Sequence, residues 1–142
     1  MRALFDVNAL LALLDPQHTF HSTIWAWWAT NEKSGWATCL ITQNGVARIM
    51  SQPRYSNPIT TMDAIRLVEI GVRQPGHAFW PADISITDEQ LFDRSQILGP
   101  NQVADVYVLG LTVKNGGRLV TFDRSVPLGA VRGVEARHLV VL

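Results

Sequence analysis

Cysteine is almost missing from these 142 residues: Cys39 stands alone, which excludes an internal disulfide framework and suits a reducing compartment. No apolar run approaches the roughly 18 residues that a membrane-spanning helix needs. The most apolar stretch, Leu4 to Leu14, has no basic leader beyond Arg2 and is interrupted by Asp6, so no signal peptide is expected. Neither sign of charge prevails, since 12 Lys and Arg balance 12 Asp and Glu. With no global field to attract nucleic acid, any phosphate binding has to come from a local arrangement or a metal. The glycine-rich phosphate loops of ATP and dinucleotide sites are absent, and so is any His/Cys cluster of the kind that holds zinc. His18 and His21 stand without a third ligand and read as exposed helix residues. No repeat, low-complexity segment or linker is visible.

What is present describes a folded globular protein. A hydrophobic fraction of 47% and a charged fraction of 17% argue against disorder, and the length suits one domain over residues 1–142. A cytoplasmic location without membrane attachment is expected.

Strand and helix patterns alternate along the chain. Ala3 to Phe5 reads as a buried strand, and Asn8 to Leu14 as a helix ended by Asp15-Pro16. His18 to Thr30 follows as a helix with Phe20, Ile24, Trp27 and Trp28 on its core face. Trp25 points off that face and is a candidate contact for a subunit or partner. Trp36 to Cys39 is a second strand, with a helix from about Thr42 to Ser51 before Pro53. Thr60 or Thr61 caps a helix to Val72 with Met62, Ile65, Val68 and Ile70 as apolar positions. His77 to Pro81 suits an edge strand, and Thr87 to Gln90 resembles a capping box opening a short helix through Phe92. Asn101 to Lys114 is a helix, Arg118 to Phe122 a strand and His138 to Leu142 a last strand. The alternation implies an α/β fold of three layers, with a central parallel sheet flanked by helices.

Three acids fit this scheme poorly as structural residues. Asp6 and Asp123 each follow a buried-looking strand and should emerge on the same carboxyl edge of the sheet. Asp105 lies in a helix whose neighbours are apolar nearly all round, which makes an unpaired carboxylate costly there. Asp6 could simply cap the first helix, as could Asn8, but a cap does not account for the other two acids. Three converging carboxylates repel one another, and a hard divalent cation, Mg2+ or Mn2+, resolves the conflict. Such a site suits hydrolysis of phosphate esters.

Asp6-Val7-Asn8-Ala9-Leu10, Asp105 in its helix, and Leu119-Val120-Thr121-Phe122-Asp123-Arg124 together resemble a PIN-domain ribonuclease, and more closely the VapC toxins of bacterial VapBC toxin–antitoxin pairs. Ile41 to Met50 is also similar to a stretch of some of these toxins. The resemblance implies magnesium- or manganese-dependent cleavage of RNA, often transfer or ribosomal RNA, by metal-binding Asp6, Asp105 and Asp123, with Thr121 supporting the last. It implies a homodimer and a VapB-type antitoxin whose tail covers the acidic edge. Gln43 departs from the family, standing where many members carry Glu. A neutral amide cannot neutralise a cation or act as a base, so one metal, or a weak second one, is expected, with a bound water as nucleophile. Arg48, Arg54 and Arg124 are the candidate phosphate contacts. Two other readings stay open: a PIN-like module that binds RNA or a partner without cutting, and a phosphomonoesterase with an aspartate nucleophile. Against the second, Asn8 occupies the position where that chemistry needs another acid.

Overall fold

The computed structural model describes Met1–Leu142. Its short strands are β1 (Ala3–Phe5), β2 (Trp36–Thr38), β3 (His77–Phe79), β4 (Arg118–Thr121) and β5 (Leu139–Val141). All pair in parallel, in the order β3-β2-β1-β4-β5. Five helices connect them: α1 (Val7–Leu14), α2 (His21–Asn31), α3 (Leu40–Met50), α4 (Thr61–Val72) and α5 (Val103–Lys114).

Alternation of side chains along each strand divides the interior in two. Ala3, Phe5, Trp36 and Val120 face a core completed by α1 to α4. Leu4, Ala37 and Leu119 face the opposite core, built from α5, Trp80, Phe92 and the loop residues Val126, Ala130 and Val131. β1 is therefore apolar on both faces, as a central parallel strand must be. Phe5, fully buried, meets Trp27, Trp28 and Trp36 edge-on at 5.8–6.4 Å between ring centroids.

The topology also selects a position for function. From β1 the chain moves outward to β2 and β3 on one side, then returns to place β4 and β5 on the other. The order reverses between β1 and β4, and in open parallel sheets ligands gather at the carboxyl ends of the two strands flanking such a reversal. Asp6 and Asp123 follow those two strands. Beside them α3 approaches α1 closely because Gly45 lacks a side chain: a Cβ there would lie 2.6 Å from Cγ2 of Val7.

Several expectations are corrected. The first helix begins at Val7 and Asp6 is its cap, so Asn8 is an exposed first-turn residue without a capping role. α2 begins at His21, which leaves Phe20 outside the helix and 45% exposed instead of in the core. α4 packs through its small residues Ala64, Val68 and Gly71, so Met62, Ile65 and Ile70 face outward. Residues 87–92 form no helix. The Asp88 carboxylate accepts from the Gln90 amide at 2.9 Å, closing a local turn, while Phe92 is drawn into the core against Gly110 and pairs with Val131. The first turn of α5 is more open than its apolar sequence suggests, with Val103 and Ala104 exposed and Asp105 half-buried.

Candidate active site

Asp6 serves two roles through one side chain. Its Oδ1 accepts the Ala9 amide at 2.7 Å, capping α1, yet the carboxyl is buried at the sheet edge. Burial pushes its pKa up, opposed by the Thr121 hydroxyl and the Ala9 amide, while the charge of Asp123 adds to the rise. Asp105, in the first turn of α5, is raised to about 6, first by burial and then by the charges of Asp6 and Asp123. Asp123 is exposed and held below the usual carboxylate range by Ser125, whose amide donates to it at 2.7 Å. Its own amide donates to Oγ1 of Thr121 at 2.9 Å. Thr121, fully buried at the end of β4, thus sits between the two edge acids.

The three acids sense one another, and none is paired with a cation: the ion pairs of the protein all lie elsewhere. They do not close into a compact cage, since no three His, Cys, Asp or Glu side chains stand within reach of a single ion. The donor set fits Mg2+ or Mn2+ nonetheless. It is all oxygen, it repels itself without a counter-charge, and Mg2+ keeps several waters while taking only one or two carboxylates from a protein.

Gln43 is tethered sideways. Its Nε2 donates to Oγ1 of Thr38 at 2.8 Å, and the same hydroxyl meets Nε2 of His77 at 2.8 Å. Burial, with the charge of Arg2 behind it, lowers the His77 pKa and favours the neutral ring that can accept the hydroxyl proton. Thr38 and His77 were not legible as a polar chain in the sequence, because they are 39 residues apart and meet only when β3 pairs with β2.

The three arginines do not converge. Arg124 is exposed next to Asp123. Arg54 follows α3 in the loop that Tyr55 anchors to Asp15 at the far end of α1, about 13 Å along the helix axis from Asp6. Arg48 is exposed in the last turn of α3, about 140° around the axis from Gln43. Trp25, 45% exposed, is held by its indole N–H, which donates to the Leu13 carbonyl at 3.0 Å. It lines a cavity of about 520 Å³ with Trp28, Trp36 and Pro75, to which none of the acids contributes. The acids lie instead at the carboxyl edge of the sheet, with Asp6 buried, Asp105 half-buried and Asp123 exposed. Phe20 was also missed as an edge residue; it stacks on Phe122, the neighbour of Asp123.

No family model matches the chain. Among curated proteins it is similar to Ribonuclease VapC44 of Mycobacterium tuberculosis, 48% identical over 142 residues and the full length of both chains. Ribonuclease VapC39 of the same organism is 35% identical over 136 residues, 94% of this chain and 97% of that one. Ribonuclease VapC38 is 39% identical over 125 residues, 87% and 86% of the two chains. Identity of this extent, joined to the three-layer sheet with its acids at the switch point, settles the classification: the chain belongs to the VapC ribonuclease family.

Proposed function

We propose that the chain is the toxin of a type II toxin–antitoxin pair and that residues 1–142 act as one PIN-like domain cutting RNA at the β1/β4 edge. The observation that carries this reading is the uncompensated charge of Asp6, Asp105 and Asp123 where the strand order reverses. Bound there, Mg2+ or Mn2+ supplies charge neutralisation at the phosphate and a water acidic enough to attack it near neutral pH. The protein supplies the rest. Asp6 and Asp105 provide carboxylates in a partly dry setting, and Asp123 provides one held ionised by Ser125. Thr121 links Asp6 and Asp123. Asn8, exposed one residue beyond Val7, offers a neutral polar contact at the same edge. Arg124 is the cation best placed to hold the RNA backbone. Gln43, engaged with Thr38, adds no charge, in keeping with a single-metal reaction.

The partners follow from the family: a VapB-type antitoxin whose tail covers the acidic edge, a second copy of the chain, and a transfer or ribosomal RNA substrate. The outward Met62, Ile65 and Ile70 of α4 and Trp25 are among the exposed apolar side chains available for protein contacts. No helix is long and apolar enough to cross a membrane, and a cytoplasmic location is part of the proposal. The test is cleavage of transfer and ribosomal RNA by the purified protein with Mg2+ or Mn2+. Cleavage should fall at least about 100-fold in Asp105→Asn; a folded, metal-supplied protein that leaves every RNA intact would favour the binding-module reading.

A further inference from the structure

We infer that Phe20 and Phe122 form a stacking platform for one nucleobase of the RNA, next to the phosphate that is cut. The inference rests on the ribonuclease reading of the same edge. Phe122 lies between Thr121 and Asp123 in the chain and is half-buried, with its ring packed against the core of α1 to α4. Phe20 arrives from the turn before α2 and lies on that ring nearly parallel, centroids 4.7 Å apart at 28°. His18 fixes the turn: its Nδ1 accepts the Phe20 amide at 3.1 Å, and its ring lies 6.0 Å from that of Phe20. Phe20 remains 45% exposed. A pre-stacked aromatic with an open surface has one evident complement among the parts of an RNA, the flat face of an unpaired base.

The surroundings favour a base over a protein side chain. The core of a protein interface needs continuous apolar surface, whereas Gln17, Thr19, Ser22 and Thr23 flank Phe20, and Asp123, Arg124 and Ser125 follow Phe122, all of them exposed and polar. The run Phe122-Asp123-Arg124 therefore offers an aromatic, an acid and a cation in succession, matching a base, the site of cleavage and a neighbouring phosphate.

The experiment compares the full-length protein with Phe20→Leu and Phe20→Trp on a labelled oligoribonucleotide carrying the cut mapped for the unaltered protein. A parallel oligonucleotide has an abasic sugar beside that cut. Phe20→Leu keeps an apolar side chain at an exposed position, so its melting temperature should match the parent. Its KM should rise roughly tenfold, in the range measured for loss of one base–aromatic stack, with kcat changed less than about threefold; Phe20→Trp should restore KM. The abasic sugar should weaken the parent by a similar factor and Phe20→Leu hardly at all. An unchanged KM in Phe20→Leu, or an equal abasic penalty in both proteins, overturns the platform. So does a Phe20→Leu protein that loses antitoxin binding or self-association but keeps its KM, which would assign the pair to a protein contact. If Phe20→Leu behaves as expected while Asp105→Asn still cuts, the platform stands and the acid assignment falls.

Discussion

The two edges of one sheet treat their buried charge in opposite ways. At the amino edge, Arg2 donates through Nη1 to the Gly76 carbonyl at 2.9 Å and the Trp36 carbonyl at 3.3 Å. Arg118 lies 4.8 Å above the Trp27 ring and donates through Nη2 to Oδ1 of Asn31 at 2.7 Å, while its buried Nε lacks a partner. These cations hold α2 and the β2–β3 entry in place. At the carboxyl edge, Asp6 is raised by burial and the charge of Asp123, Asp105 by burial and the charges of Asp6 and Asp123, and no cation answers them. At the first edge carbonyls, an amide and a ring face engage both cations, with the buried Nε of Arg118 left over, whereas the second edge is left short of positive charge. Buried charge that the fold satisfies is structural, and buried charge that it leaves unanswered points to a ligand.

The comparison can be broken from either side. The largest effect belongs to Asp6, where two roles separate. Asp6→Asn preserves a cap for α1 and should leave the melting temperature nearly unchanged while RNA cleavage falls at least about 100-fold. Asp6→Ala should lose the same activity and also about 1 kcal/mol of stability in urea unfolding. Equal stability of the two variants would show that the Ala9 contact contributes nothing.

The opposite edge should behave in reverse. Arg118→Met removes the ring contact and the Asn31 bond, and should cost about 1–2 kcal/mol by chemical denaturation. Its kcat/KM on RNA should stay within a factor of two or so. A large loss of activity at unchanged stability would join the amino edge to the site and end the distinction.

The third effect is a pH dependence of stability without metal. Asp105 is raised to about 6 and Asp6 is raised as well, so the folded state retains protons that the unfolded chain releases near pH 4. Stability from these groups is therefore greatest below about pH 4 and falls as pH rises through about 6. Asp123 is lowered, so its contribution is lost only at more acid pH and does not cancel the trend. His77 and His18 are lowered and act in the opposite direction over the same window, so the acid is isolated by comparison: from pH 4.5 to 7 in urea unfolding without metal, the parent should fare worse than Asp105→Asn. The smallest effect is at Gln43: Gln43→Glu adds a negative charge beside the edge and should tighten Mn2+ binding severalfold in calorimetry. No change in affinity would place Gln43 outside the ion's reach.

Much of this architecture was legible because it rests on local pattern. The shift from Ala3–Phe5 to the Leu-rich stretch marked a strand ending on a helix, and the Arg118–Thr121 run ended in Asp123 in the same way. Asp105 joined them as an acid among apolar neighbours in its helix, and the family resemblance carried the same three residues. What escaped depended on packing between distant segments. Phe20 looked like a core residue on a helical wheel, but α2 begins one residue later and the ring finds Phe122 instead. On α4, small residues make the close contact, so size was a poor guide to burial. Phe92 followed no helix signal because the cavity over Gly110 and the pairing with Val131 decide its place. Arg48 and Arg54 were close to Gln43 in sequence, yet the helix axis carries them away from the edge.

The central claim is that the acidic edge takes up a divalent cation. Titration of the purified protein with Mn2+, followed by calorimetry and by the shift in melting temperature, tests it most directly, with Asp105→Asn as the control. The account requires saturable binding by the parent with a rise in melting temperature, and binding at least about tenfold weaker in the variant. Undiminished affinity in Asp105→Asn, or no saturable binding by a parent protein that nonetheless cleaves RNA, would contradict it.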